Sequence, residues 1–343
     1  MRGYNLEKPM SKIRYFAFSL LLILFVIPAC KEFNTDVNGK QFKPYNSFVT
    51  KFRQLVYVEY KEGYAEVWGP CADRVDVLVD EASHVTIKSD LDSLVVVAYG
   101  FAAHDTIFDE KDKTKMKEVV DYHGALSIVS TKPFALYLTG LKMNSDSKTA
   151  VSCEGKGDCY LVLTDKANNL INGAFEFNGH LFFDGKGSLT VTTDSIDALV
   201  AKNGLTCSYP VSVNLRSQNG RGLFVAGKEL KIADGKWNIQ SGSNAILSTE
   251  MSVTINGGTC YGVGAKKSEN VFTGNQFTWQ ARVDSIPFQK DSIYSVGRMG
   301  GQDTKATEMF KLKSLYDQAK PWVLISNDKL KDGDIVTFNK NKK

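Results

Sequence analysis

The sequence predicts an all-β chain: a right-handed parallel β-helix, a solenoid, with N- and C-terminal caps. Three observations carry that expectation. Short strands joined by small-residue turns recur from Gly179 to Ala265. Leu189-Thr190-Val191 leads to Asp197-Ala198-Leu199, and Val211-Ser212-Val213 leads to Arg221-Gly222-Leu223. Leu230-Lys231-Ile232 and Trp237-Asn238-Ile239 then lead to Asn244-Ala245-Ile246. Ala198, Gly222 and Ala245 lie 24 and 23 residues apart, too short a period for a propeller blade and right for one solenoid coil. No long amphipathic helix interrupts residues 124–265, which excludes the helix–strand rhythm of βαβ folds. A β-sandwich is the alternative, although that architecture requires no such regular spacing.

Residues 1–29 read as a lipoprotein signal peptide. Arg2, Lys8, Lys12 and Arg14 make a basic start, Tyr15 to Ile27 is continuously apolar, and Ile27-Pro28-Ala29-Cys30 ends the run. Cysteine at the cleavage point is the bacterial lipoprotein arrangement, so Cys30 is the expected lipid attachment and the expected site is the outer membrane, on its surface or periplasmic face. The alternatives are a plain signal peptide cut nearby and a membrane-spanning helix; the apolar run falls short of the roughly 20 residues that a spanning helix needs. Residues 30–60 are polar and irregular, a tether between lipid and fold.

The β-helix is expected over residues 61–268. It opens with Tyr64-Ala65-Glu66-Val67-Trp68, short and alternating, and continues in β-branched runs such as Leu94-Val95-Val96-Val97. Residues 103–123 break the alternation with Asp109-Glu110-Lys111-Asp112-Lys113, which reads as a solvated loop or short helix. Leu189, Val191, Leu230, Ile232, Trp237, Ile239, Val253 and Ile255 suit the inward ladders. The ends of such a rod expose unpaired backbone and must be covered. The strands near Tyr64 suit one end, and residues 269–343 form a C-terminal capping segment.

Charge and cysteines narrow the function. The 343-residue chain has a formal charge of +4, which falls to +1 when Arg2, Lys8, Lys12, Arg14 and Glu7 leave with the signal. A nearly neutral chain argues against nucleic acid, whose binding needs a basic face. After Cys30 come Cys71, Cys153, Cys159, Cys207 and Cys260, an odd number that leaves at least one thiol free. Cys153 and Cys159 flank Glu154-Gly155-Lys156-Gly157-Asp158, a spacing that permits a small disulfide-closed hairpin. Cys207 and Cys260 read as small buried hydrophobes. No cysteine pair has zinc-ligand spacing with a histidine near it, and there is no Gly-x-Ser-x-Gly elbow. His84, His104, His123 and His180 read as ordinary surface or partly buried residues.

From Leu136 to Gly258 the order of segments is more specific. Leu138-Thr139-Gly140-Leu141 is followed by Tyr160-Leu161-Val162-Leu163-Thr164-Asp165 and Asn168-Asn169-Leu170-Ile171-Asn172-Gly173. Gly185-Lys186-Gly187-Ser188-Leu189-Thr190-Val191 then completes the series. This order resembles the bacterial carbohydrate-binding β-helix proteins, a secreted and often lipid-anchored family with a pectate-lyase-like fold. The resemblance implies polysaccharide binding, with acidic glycans favoured, and calcium held in turns where the family places Asp-Gly-Ile. Asp197, Asn244 and the nearby Asp194 are the candidate ligands, but Arg221 puts a cation at the middle turn. Calcium asks for six to eight oxygens, carboxylates above all, so Arg221 weighs against it.

Binding sugars needs aromatic faces and arrays of amides and hydroxyls. Trp68, Tyr209 and Trp279 are the main aromatic candidates, with Tyr99 and Tyr137 beside them, and Arg216 and Arg221 are candidates for carboxylates of an acidic glycan. The expected function is non-catalytic polysaccharide binding by a lipid-anchored envelope protein. The alternatives are a polysaccharide lyase on the same scaffold and a structural or adhesive surface protein that binds another protein.

Overall fold

The computed structural model describes residues 53–341, apart from 62–63, 101–104, 109–115, 120–123, 301–302 and 304. The expected signal peptide, Cys30 and most of the tether lie outside the described residues, as do His104 and His123. The elements below belong to one unit, Pro44–Lys343.

The described residues form strands and turns with almost no helix, and parallel strands stack as a solenoid, as the period predicts. One coil shows how the sequence makes it. Leu181–Gly185 lies in a ten-stranded first sheet, Ser188–Thr193 in a larger second sheet, and Leu199–Ala201 in a short third strip. The next coil repeats the path with Leu205–Cys207, Ser212–Ser217 and Leu223–Val225, each parallel to its counterpart. Alternate residues face inward because side chains in a strand alternate sides. Ser188–Thr193 and Ser212–Ser217 therefore share one alternating burial pattern.

Stacking in register turns this alternation into continuous apolar ladders. Leu189, Val213, Trp237 and Cys260 form one, and Leu181, Leu205, Leu230 and Val253 another, all 0–1% exposed. Every residue assigned above to the inward ladders is buried. The small residues at the repeat period sit where the chain enters the third strip. A Cβ on Gly222 would lie 2.1 Å from Ile239 Cγ2 and 2.8 Å from the Ala245 carbonyl oxygen, so this coil has no room for a side chain where its neighbours carry the methyl groups of Ala198 and Ala245. Asn169 ties coils from within: its Oδ1 accepts from the Leu141 N–H at 2.8 Å and its Nδ2 donates to the Ser188 carbonyl at 2.9 Å.

Both ends are covered by antiparallel strands. At the N-terminal end Tyr64–Trp68 pairs with Gln54–Lys61, and Asp76–Val79 with His84–Ser89. At the other end Trp322–Ser326 pairs antiparallel with Thr259–Gly264, followed by Thr278–Arg282. A three-stranded sheet of Ile293–Met299, Thr307–Lys313 and Ile335–Lys340 completes the cap around its own small core of Phe288, Tyr294, Val296 and Ile325.

Three local readings need adjustment. Within the charged stretch, Asp105–Phe108 and Met116–Val119 pair as an antiparallel ribbon, where a loop or short helix was expected; the connecting residues 109–115 lie outside the described residues. Cys153 and Cys159 are buried free thiols, and burial together with the adjacent Cys153 raises the Cys159 pKa well above its ordinary value. His180 is buried: its ring contacts the Asn203 carbonyl at 3.1 Å and Thr206 Oγ1 at 2.9 Å and stacks on Phe182. Cys207 and Cys260 are fully buried as expected, and burial pushes both thiols up to about 12.

Candidate functional site

The parity that sends Leu189, Val213 and Trp237 inward sends their neighbours out onto the face of the second sheet. Registered stacking then arranges these polar residues in rows. One row runs Thr190, Asn214, Asn238, Tyr261, and the next runs Asn144, Asn172, Thr192, Arg216, Gln240. A third passes through Asn168, Ser188, Ser212, Lys236 and Thr259. The amides bond along the rows, with Asn238 Nδ2 reaching Asn214 Oδ1 at 3.4 Å and Ser188 Oγ donating to Asn168 Oδ1 at 2.9 Å. The result is a flat array of amides and hydroxyls.

The array is bounded at two places. At its C-terminal end the Thr307–Lys313 strand stands against the face. Gln240 fixes it, because its Nε2 donates to the Lys313 carbonyl and its Oε1 accepts from the Leu315 N–H, both at 2.9 Å. Gln318 Nε2 donates to the Ser241 carbonyl at 2.8 Å, and the rings of Tyr261 and Phe310 stack with centroids 3.8 Å apart. Between wall and face lies a cleft of about 510 Å³, with Asn214, Arg216, Lys236 and Asn238 on one side and Phe310 and Lys311 on the other. At the opposite end the Lys142–Glu154 strand breaks register between Asn144 and Thr149. This bulge edges a second pocket of about 450 Å³, lined by Asn144, Lys148, Asn172, Thr192 and Asp194 among others. Thr192 and Arg216 are neighbours in one row, so the two pockets adjoin along the array, and together they make the trough of the face.

Arg216 sits at the centre. Its Nε is buried and has no hydrogen-bond partner. Tyr316 lies within electrostatic reach of both Arg216 and Asp194; burial raises its phenol pKa, with Arg216 opposing and Asp194 adding to the shift. A guanidinium that lines a polar cleft is suited to an anionic or hydroxyl-rich ligand.

The other candidates fall elsewhere. Arg221 is taken up by Asp197: its backbone N–H donates to Oδ1 at 2.8 Å and its Nε to Oδ2 at 2.9 Å, while the guanidinium lies 3.6 Å from the Phe224 ring centroid. The chain links Asp197, Arg221 and Asn244 in successive coils, with Ala198 N bonded to the Arg221 carbonyl and Gly222 N to the Asn244 carbonyl. The guanidinium is thus the cation of this corner. Asn244 Nδ2 donates to the Lys267 carbonyl at 2.6 Å, and Asp194 lies apart, in the trough. Asp194, Asp197 and Asn244 are therefore not gathered into one oxygen cluster of the kind calcium asks for, and Arg221 is engaged by Asp197 rather than placed in the trough. Among the described residues no group of three or more His, Cys, Asp or Glu side chains is placed to hold a metal.

The aromatic candidates are not brought into the trough. Trp68, 44% exposed, stacks on Tyr57 at 4.2 Å on the first sheet. Tyr209 packs against the main core, and Trp279 packs in the C-terminal core beside Phe338. Residues not singled out from sequence, Asn144, Asn172, Asn214, Asn238, Lys236, Tyr261 and Phe310, build the site instead. Most were accessible from parity and period together: Asn214, Asn238 and Tyr261 follow one another at coil spacing.

Residues 122–269 match a family model described as "Carbohydrate-binding domain-containing protein". The matched stretch includes every solenoid strand of the trough, so the match supports a carbohydrate-binding domain with a polysaccharide partner. No curated protein and no solved structure matches the chain.

Proposed function

We propose that the chain binds polysaccharide along the outward face of the second sheet, favours acidic glycans, and does not transform them. The observation that carries the reading is Arg216, whose side chain lines the cleft at the centre of a trough of amides, hydroxyls and lysines. Lys148, Lys236 and Lys311 add positive charge along the lining, where Asp194 is the one carboxylate among the described residues. Among the described residues of the lining Asp194 has no second carboxylate beside it of the kind that two-carboxylate glycoside hydrolysis requires, which supports binding without turnover. Cys30, as lipid attachment, would hold this receptor on the outer membrane of a bacterium.

The test is a glycan array with the soluble fragment that begins after Cys30, followed by pull-down on polygalacturonate. Retention on uronate polymers that weakens as salt rises is the expected outcome. Release of unsaturated oligosaccharides would replace the reading with a lyase. Retention of a protein partner and of no glycan would replace it with an adhesive role.

A further inference from the structure

The trough is closed, and its closure sets what length of glycan it takes. Going from the Lys142–Glu154 strand to the Thr259–Gly264 strand crosses five interstrand steps, at about 4.8 Å each, or about 24 Å in all. At the far end the Asn214–Asn238–Tyr261 row runs into Phe310, stacked on Tyr261. The polar part of the Arg216 row ends at Gln240, whose amide is used in both directions by the backbone of Lys313 and Leu315, and buried Val263 follows it. With Gln318 also bonded to Ser241, the wall is a fixed part of the fold and not a lid. A glycan following the rows has no way through.

We propose that the site recognises a chain end: the terminal sugars seat against the Tyr261–Phe310 wall beside Arg216, and the chain leaves over the bulge. This rests on the reading that the face binds glycan, and it adds that the interior of a polymer is excluded. A pyranose repeat is close to one interstrand step in length, so the trough takes about five sugars. The wall lies beyond residue 269, where the family match ends. End selection is therefore supplied by this chain's own C-terminal cap.

Oligogalacturonides of increasing length, titrated calorimetrically into the protein, should bind more tightly up to about five sugars and then level off. On polygalacturonate at constant mass, limited depolymerisation should raise the amount of protein bound in proportion to the number of ends. Protein bound in proportion to polymer mass, whatever the number of ends, would overturn the chain-end inference and leave the glycan reading standing. Binding to no uronate of any length would overturn both. Phe310→Ala, checked for an unchanged melting temperature, should bring a gain in binding to undegraded polymer. A folded variant that still follows the number of ends would show that Phe310 is not the stop and would count against the wall.

Discussion

Arg216 lies on the Ser212–Ser217 strand and Arg221 in the corner that follows it, and their guanidinium groups meet different surroundings. Arg221 is held by Asp197 in a half-buried pair, while the Nε of Arg216 is buried without a partner. Arg216→Gln should therefore leave the melting temperature nearly unchanged. It should weaken uronate binding at least tenfold, since a hydrogen bond to a charged group contributes about 1.5–3 kcal/mol. Arg221→Gln should do the reverse, leaving the Asp197 carboxylate poorly paired and lowering stability by about 1–3 kcal/mol with affinity unchanged. Urea unfolding and calorimetric titration of the two variants separate these outcomes, and interchanged effects would refute the assignment. Asp184 is a third special residue, 1% exposed, with Oδ2 unpartnered and Oδ1 accepting from its own neighbour's N–H on Gly185. Burial raises its pKa to about 6. A carboxyl raised on folding is bound as the acid in the native state, so its stabilising contribution is complete below pH 4 and is lost as pH rises through 6. Asp184→Asn should flatten that decline and be the more stable form at pH 7, by about 2–3 kcal/mol. Urea midpoints from pH 4 to pH 7 check it; a wild type that gains stability relative to the variant over that range would refute it.

At the scale of the element, the coil depends on its corners as much as on its ladders. Inward ladders tolerate Leu, Val, Ile, Trp or Cys, because each needs only to fill its layer between the coils above and below. The corner before the third strip is stricter. Gly222→Ala would push a methyl group toward Ile239 and the Ala245 carbonyl, and should lower stability by about 1–3 kcal/mol. Unfolding in urea measures it, and a neutral result would mean that the corner can widen. This explains why the small-residue period was the clearest signal of the fold: it marks the positions where adjacent coils leave space for a methyl group at most. The pairing of Asp197 with Arg221 at the same corner was not readable in that way. The spacing put an acid, a cation and an amide one above another, but whether they gather around a metal or satisfy each other depends on side-chain reach in the stacked state.

At the scale of the molecule, the C-terminal segment has two roles. It covers the last coil, with Trp322–Ser326 pairing along Thr259–Gly264, and it supplies the wall of the trough. Deleting residues 270–343 should bare a strand edge and the buried Val263 beside it, so the shortened protein should associate. Size-exclusion chromatography with light scattering reads this, and a stable monomer would refute it. The amino-acid order by itself determined the solenoid and the inward ladders, because alternation and a coil-length period act locally and repeat. Only the tertiary structure decided that Gln240 meets Lys313, 73 residues away, and that Phe310 closes the row begun by Asn214 and Asn238. Periodicity tells a side chain which way to face. What stands opposite depends on how a non-repeating segment packs against the finished rod.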